Sequence, residues 1–209
     1  MMRRSLALLF PFALSACSRH LYSAPVPAPA ATVLLAGATP PAPRVNAASA
    51  GSAEVVDYLL GRAIAIPVAG ATVDQLRDSF DEGRDGARVH RALDIMAPRG
   101  TPVLSADAGR ILRVSASALG GNNIYATDPS GRVVYYYAHL DAYQPGLLQG
   151  ASVARGDTLG FVGTTGNAPK DVPHLHFQVM RMPTDGKYWD GDPINPYPLL
   201  LLTHDHVRP

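Results

Sequence analysis

Two histidines at alternate positions, His174 and His176, are the residues of this chain best placed to act on one chemical centre. In a β-strand the residues i and i+2 point to the same face, so both imidazoles can reach one point in space. Pro173 precedes the pair and residues 177–180 suit an extended run, which predicts a strand. The pair alone is weak evidence, because a chain with 7 histidines in 209 residues produces this spacing by chance.

Further candidate ligands lie about eighty positions upstream, where His90 is followed four residues later by Asp94. Imidazole nitrogen and carboxylate oxygen are both ligands that zinc accepts. His139 adds another imidazole, in the sequence Tyr-Ala-His-Leu. We predict that side chains from these three distant parts of the chain converge on one metal site.

Four stretches of the sequence carry a resemblance to a known family. They are RVHRALDIMAPRGTPV (88–103), YYYAHL (135–140), GDTLGFVGTTGNA (156–168) and PHLHFQV (173–179). In this order they resemble the lysostaphin or LytM type of zinc metallopeptidase, and the similarity runs from about residue 76 to residue 198. One departure is Ala92, which stands where the family has the glycine of its H-x-G-x-D motif. A methyl group there could shift the ligands slightly without changing the fold.

The resemblance implies a role for each candidate residue. His90, Asp94 and His176 would bind one zinc ion and leave its fourth position to water, as in catalytic rather than structural sites. His174 would act as the general base that passes the water's proton to the leaving amine. His139 would donate an N–H to the oxyanion of the tetrahedral intermediate. The spacing of the residues by itself supports only their clustering.

The activity implied by the resemblance is zinc-dependent hydrolysis of the peptide crosslinks of bacterial cell-wall peptidoglycan. If the cell has an outer membrane, the expected target is the D-alanine to diaminopimelate crosslink. Two other classes stay open: a weakly active or inactive envelope lipoprotein that binds and regulates other wall hydrolases, and a structural wall-binding lipoprotein. The presence of all five candidate side chains favours the enzyme.

The predicted fold is mainly β, with an antiparallel sheet or sandwich as its core and short helices near its N-terminus. The sequence has 19 glycines and 19 prolines, which favours strands and turns over a helical bundle. Candidate strands are residues 64–68, 102–106, 109–115, 123–127, 132–138, 158–162 and 174–181. Candidate helices are residues 54–62 and, from a capping-box pattern, 72–80. The resemblance adds an open groove with the zinc on its floor.

The N-terminus has the pattern of a secretory signal, with basic residues before an apolar stretch too short to span a bilayer. Residues 14–17 resemble the lipobox of bacterial lipoproteins, so we expect lipidation of Cys17 and anchoring to the envelope, at the outer membrane facing the periplasm. The expected organisation is a signal peptide over 1–16, a lipidated Pro/Ala-rich tether over 17–52, a metallopeptidase domain over 53–200 and a polar tail over 201–209.

Composition and the remaining motifs exclude other classes of function. The formal net charge of +1 gives no reason to expect nucleic acid as a partner, and a single cysteine excludes an internal disulfide. The glycine-rich run 163–167 lacks the lysine and helix of a phosphate-binding loop. His204 and His206 repeat the H-x-H spacing in the expected tail, where we assign no metal.

Tyr188 and Trp189 either contact substrate or anchor the loop expected over 182–198. From the family resemblance and the lipobox-like sequence, the expected partners are wall peptides, a membrane and regulators of wall hydrolases.

Overall fold

The computed structural model describes residues 52–84 and 86–205, and this part of the chain is built on an antiparallel sheet of nine strands. The strands are β1 (Leu93–Met96), β2 (Pro102–Leu104), β3 (Gly109–Ser117), β4 (Gly121–Thr127), β5 (Val133–Tyr143), β6 (Ser152–Val153), β7 (Thr158–Val162), β8 (His174–Arg181) and β9 (Asp192–Ile194). Their order is β1-β8-β5-β4-β3-β6, with β7 paired to β5 and β2, and β9 paired to β8. The predicted antiparallel β fold is confirmed.

Helices α1 (Ser52–Arg62) and α2 (Pro196–Asp205) complete the hydrophobic core. Val55 and Leu59 of α1 are one helical turn apart and both are buried, which is the pattern of an amphipathic helix. Leu200 of α2 is fully buried in the same cluster. None of the helices within 52–84 and 86–205 is long and apolar enough to cross a membrane.

Alternation along β8 separates this core from the opposite face of the sheet. Leu175 and Phe177 are fully buried in the hydrophobic cluster, whereas His174 and His176, which alternate with them along the strand, line a groove. The pleat of a single strand therefore gives the sheet a packed face and a face that carries polar side chains.

Strand β5 changes its partner at His139. Its residues 133–138 pair with β8, and its residues from Leu140 onward pair with β7. His139 itself has a φ of 63°, in the left-handed region that a non-glycine residue rarely adopts. Strain of this kind persists where the surrounding structure imposes it, and here it marks the bend between the two pairings.

Two of the predicted strands, 158–162 and 174–181, are confirmed at both ends. The other confirmed strands differ at one end or both. The prediction for β2 extended two residues too far, whereas β3, β4 and β5 are longer than predicted. β1, β6 and β9 were not predicted, and each has four residues or fewer.

The helix predicted over 72–80 is wrong. Only a single 3-10 turn forms, at Val73–Gln75, where the N–H of Thr72 donates to Oε1 of Gln75 at 2.9 Å. The chain becomes extended directly after this turn. Oδ1 of Asp78 accepts from the N–H of Phe80 at 3.0 Å, a local bond that replaces a helical one.

The strand predicted over 64–68 is also wrong, because the segment forms only a single bridge between Val68 and Val103. Pro67 has no N–H to donate, and its carbonyl accepts from the N–H of Leu104 at 3.0 Å. The segment follows β2 without forming a regular ladder.

The C-terminal segments are more ordered than expected. Residues 182–198 contain a 3-10 turn at Tyr188–Asp190 and strand β9 in addition to loop. The polar tail expected from residue 201 is, as far as Asp205, the end of helix α2, and Thr203 within it is buried. The expected signal peptide, Cys17 and nearly all of the tether lie outside the described residues.

Candidate metal centre

Pairing of β1 with β8 brings together two of the predicted ligands that are far apart in sequence. Asp94 lies directly opposite His176 in this antiparallel ladder, so the two side chains share one face of the sheet. His90 precedes β1 and is held by its backbone N–H, which donates to the carbonyl of Glu82 at 2.9 Å. Arg91 has a φ of 56°, and the chain turns there between the two upstream ligands.

The candidate ligand atoms form a nearly equilateral triangle. Nε2 of His90 is 3.0 Å from Oδ1 of Asp94 and 2.9 Å from Nδ1 of His176, and the last two atoms are 3.2 Å apart. Ligand atoms at 2.0–2.1 Å from a tetrahedral zinc ion are about 3.3 Å apart. The spacing therefore fits a metal ion of this kind, and the two nitrogens and one oxygen are donors that zinc accepts.

Backbone carbonyls fix the orientation of three imidazoles. Each ring bonds through Nδ1 at 2.8–2.9 Å: His90 to the carbonyl of Ser79, His139 to that of Thr165 and His174 to that of Val172. Because a carbonyl can only accept, Nδ1 carries the proton and Nε2 of the neutral ring keeps a free lone pair. For His90 this arrangement directs the lone pair toward the other two ligand atoms.

The carboxylate of Asp94 is held in its charged form. Burial alone would raise its pKa, but the close contacts of its Oδ1 with the imidazoles of His176 and His90 hold the pKa well below its usual range. Nη2 of Arg84 donates to Oδ2 at 2.5 Å, and Oγ of Ser79 accepts from the backbone N–H of Asp94 at 3.1 Å. Oδ2 is thus engaged, which leaves Oδ1 for a metal.

Burial also favours the neutral form of two imidazoles, those of His139 and His176. It lowers the pKa of His176, and it lowers the pKa of His139 to about 4. A neutral ring is what a metal ligand or a proton acceptor requires. The N–H donor role predicted for His139 then applies only after its Nε2 has taken up a proton.

The two imidazoles outside the triangle stand side by side in a groove of about 750 Å³. Nε2 of His174 is 3.8 Å from Oδ1 of Asp94, and the ring centres of His139 and His174 are 5.0 Å apart. All five predicted side chains therefore line one groove. The arrangement provides three ligand atoms for a metal and two proton acceptors next to them.

Tyr188 and Trp189 were expected either to contact substrate or to anchor their loop. Tyr188 packs edge-on against Tyr125, with ring centres 5.2 Å apart, and against Trp189 at 5.0 Å. Neither Tyr188 nor Trp189 lines the groove. The contact of Tyr188 with Tyr125 anchors the loop, whereas Trp189 is 56% exposed. In the second H-x-H pair, His204 lies in α2 and His206 lies outside the described residues.

Sequence reasoning missed Arg84, Ser79 and Thr165. Arg84 and Ser79 belong to a segment without a recognisable spacing pattern, and they act on Asp94 and His90. Thr165 acts on His139 through its carbonyl, which any residue type would supply. An arginine shortly before an H-x-x-x-D pattern is the one signal that could have been used.

Comparison with known proteins identifies the family. A sequence model of peptidase family M23 matches residues 88–196, more than half of the chain. The chain belongs to peptidase family M23. The resemblance to LytM-type peptidases is thereby confirmed.

Relatives and a solved structure agree with this assignment. The chain is 34% identical over 116 residues to the DD-carboxypeptidase/endopeptidase Mpg of Neisseria meningitidis serogroup B, covering 56% of this chain and 24% of that protein. It is 31% identical over 137 residues to the L-Ala–D-Glu endopeptidase of Bacillus subtilis, covering 62% and 41%. The structure of lytM from Ruminococcus gnavus superposes with a TM-score of 0.57 at 29% identity, covering 70% of this chain and 62% of that one. The chain thus spans about a quarter of the Neisseria relative's length.

Proposed function

We propose that this protein is a zinc-dependent endopeptidase that hydrolyses the peptide crosslinks of bacterial peptidoglycan. The observation that carries the proposal is the triangle of His90 Nε2, Asp94 Oδ1 and His176 Nδ1, whose edges measure 2.9–3.2 Å. Membership of peptidase family M23 supports peptide-bond cleavage. The names of both relatives refer to bonds that involve D-amino acids, which supports wall peptides as the substrate.

In this mechanism the side chains divide into ligands and proton acceptors. His90, Asp94 and His176 would hold a zinc ion. When bound, this ion would lower the pKa of a water molecule and polarise the substrate carbonyl. His174, whose Nδ1 is fixed by the carbonyl of Val172, accepts the water's proton at Nε2 and delivers it to the leaving amine.

His139 would have a different role at each stage. Its Nε2 first accepts a hydrogen bond from the attacking water, because its Nδ1 is committed to the carbonyl of Thr165. The second proton of this water then moves to Nε2, which donates it as a hydrogen bond to the oxyanion of the tetrahedral intermediate. The product amine takes up this proton as it leaves, so that both protons of the water end on the amine. This order keeps the donor role that the family resemblance implies and is consistent with a neutral His139 ring in the free protein.

The test is digestion of crosslinked sacculi by the purified protein with zinc, followed by mass spectrometry of the muropeptides. Crosslinked dimers should decrease and monomers should increase, and the masses identify the bond that is cut. His176→Ala or a chelator should stop the reaction. Continued release of monomers by His176→Ala would contradict the mechanism. Binding to sacculi without any release would favour a regulator of other wall hydrolases.

We also propose that the protein acts in the cell envelope, lipidated at Cys17 and anchored at the outer membrane facing the periplasm. The support is the lipobox-like sequence at 14–17 after an apolar stretch, followed by the Pro/Ala-rich tether to residue 52. Several acyl chains hold a protein stably to a membrane, whereas one holds it marginally. Cys17→Ser should move the protein from the membrane fraction to the soluble fraction.

A further inference from the structure

A short hairpin at one end of the groove presents two arginines to it. Gly83 pairs with Val89 in an antiparallel bridge, and the N–H of Arg84 donates to the carbonyl of Arg88 at 2.9 Å. The side chains of both arginines line the groove that contains the candidate metal ligands. The hairpin backbone therefore fixes the two cationic residues as neighbours.

The charges that line the groove are unbalanced. Among residues 52–84 and 86–205, the groove lining contains three charged side chains of the Asp, Glu, Lys and Arg types. They are Arg84, Arg88 and Asp94. Arg84 is paired with Asp94, and 38% of the Arg84 side chain is exposed. Two guanidinium groups facing one carboxylate leave the groove positive, and a divalent metal ion would add to this charge.

Arg88 is the cation of this pair that is free to bind a substrate. It is exposed, and among the described residues no carboxylate or carbonyl accepts from its guanidinium. Its neighbour Arg84 differs in this respect, because Nη2 of Arg84 is committed to Oδ2 of Asp94. A guanidinium group presents several N–H donors in a planar fork, which matches the two oxygens of a carboxylate.

We infer that Arg88 binds a free carboxylate of the substrate close to the scissile peptide bond, with Arg84 contributing positive charge beside it. The site then prefers stem peptides that carry this carboxylate over amidated ones. The inference rests on the proposed function and adds the chemical class of the substrate. A crosslinked stem peptide offers three such groups: the α-carboxylate of D-glutamate, the free carboxylate of diaminopimelate and the terminal carboxylate.

The experiment measures kcat and KM of the full-length zinc-loaded protein on a purified D-alanine to diaminopimelate crosslinked peptide dimer. Three further dimers each have one class of carboxylate converted to the amide. The variants are Arg88→Ala, Arg88→Lys and, as a matched control, Arg110→Ala, since Arg110 is an exposed arginine of β3 outside the groove lining. Thermal unfolding checks that each variant is folded.

One amidated dimer should show a KM about tenfold higher than the unmodified dimer, with little change in kcat, and its identity names the carboxylate. Arg88→Ala should raise the KM of the unmodified dimer about tenfold and leave that amidated dimer unaffected, whereas Arg88→Lys should lie between wild type and Arg88→Ala. Arg110→Ala should behave as wild type. Added salt should raise KM only for dimers that keep the carboxylate.

Equal KM values for all four dimers with the wild-type protein would overturn the inference while leaving the endopeptidase proposal intact. The same holds if Arg88→Ala weakens the cleavage of every dimer equally. Failure of the wild-type protein to cut any dimer or any sacculus contradicts the proposed function itself, and the inference falls with it.

Discussion

Arg84 donates from Nη2 to Oδ2 of Asp94 at 2.5 Å, while Oδ1 of the same carboxylate lies 3.0 Å from Nε2 of His90. The two oxygens of Asp94 thus have separate partners, one a guanidinium and the other the predicted ligand atoms. A carboxylate fixed in this way is oriented before a metal ion arrives. Outer partners of this kind commonly change metal affinity by about 10- to 100-fold when they are removed.

Replacing Arg84 should therefore weaken the metal site. We expect Arg84→Ala to bind zinc at least about tenfold more weakly than wild type, with Arg84→Lys closer to wild type, as measured by competition with a chromophoric chelator. Arg77→Ala is the matched control, because Arg77 pairs with Glu82 at the same 2.5 Å but touches no predicted ligand. Wild-type zinc affinity in Arg84→Ala would show that Arg84 does not position Asp94.

The two imidazoles outside the ligand triangle should be needed for turnover and not for metal binding. We expect His174→Ala and His139→Ala each to keep one zinc ion per chain but to lose about 100-fold or more in kcat, the usual effect of removing an acid–base group. Metal content by atomic emission and kinetics on the crosslinked dimer measure the two properties separately. Loss of zinc from either variant would mean that the ligand set has been assigned wrongly.

The loop that carries Thr165 depends on close backbone packing at Gly166. Gly166 has a φ of 71°, and a Cβ there would lie 2.3 Å from the backbone nitrogen of Gly121. We expect Gly166→Ala to displace the carbonyl of Thr165 from His139 and to lower kcat together with the free energy of unfolding. The loss of stability should exceed the roughly 1 kcal/mol expected for a left-handed alanine alone.

Gly156 provides the control for this substitution. Its φ of 87° is also left-handed, but a Cβ there meets nothing within 4 Å. Gly156→Ala should cost about 1 kcal/mol in urea unfolding and leave kcat unchanged. Equal effects of the two alanines on kcat would rule out a role for the close packing of Gly166 against Gly121.

A buried carboxylate joins helix α1 to the sheet. The side chain of Asp107 is fully buried and accepts from Nε and Nη2 of Arg62 at 2.8 and 2.6 Å and from the hydroxyl of Tyr135 at 3.2 Å. We expect Asp107→Ala to lower the free energy of unfolding by about 3 kcal/mol, because it leaves partly buried donors unpaired. Zinc affinity of the folded protein should not change, since Asp107 does not line the groove.

The control for Asp107→Ala is a substitution in a surface ion pair, that of Asp141 with Arg99. Asp141 accepts from Nη2 of Arg99 at 2.6 Å, but the two side chains are 38% and 60% exposed. Asp141→Ala should therefore change the free energy of unfolding by less than about 1 kcal/mol. A small effect of Asp107→Ala, similar to that of Asp141→Ala, would show that the buried network does not stabilise the attachment of α1.

Elements with a strong local pattern were predictable from the sequence. Strand β8 shows alternation with a proline before it, and its predicted bounds are those of the structure. Helix α2 was missed because residues 182–198 were predicted to be a loop and residues 201–209 a polar tail, although proline suits the first turn of a helix. Strands β6 and β9 have only two and three residues, and pairing partners define them more than their own sequences do.

The candidate site also has features that the sequence predicts and features that it does not. The H-x-x-x-D and H-x-H spacings mark chemistry that needs particular side chains, so the clustering of these residues could be predicted. The choice of His90, Asp94 and His176 as the ligands came from the family resemblance. The carbonyls of Ser79 and Thr165, which fix His90 and His139, are backbone atoms with no signature in the sequence. Their place follows from the tertiary fold alone.

The central claim is that His90, Asp94 and His176 hold one zinc ion, and zinc titration of the metal-free protein tests it most directly. We predict one equivalent of tightly bound zinc for wild type. His90→Ala, Asp94→Ala and His176→Ala should each lose this binding and keep the fold by circular dichroism. Tight binding of one equivalent by all three variants, or by none of the four proteins, would contradict the claim.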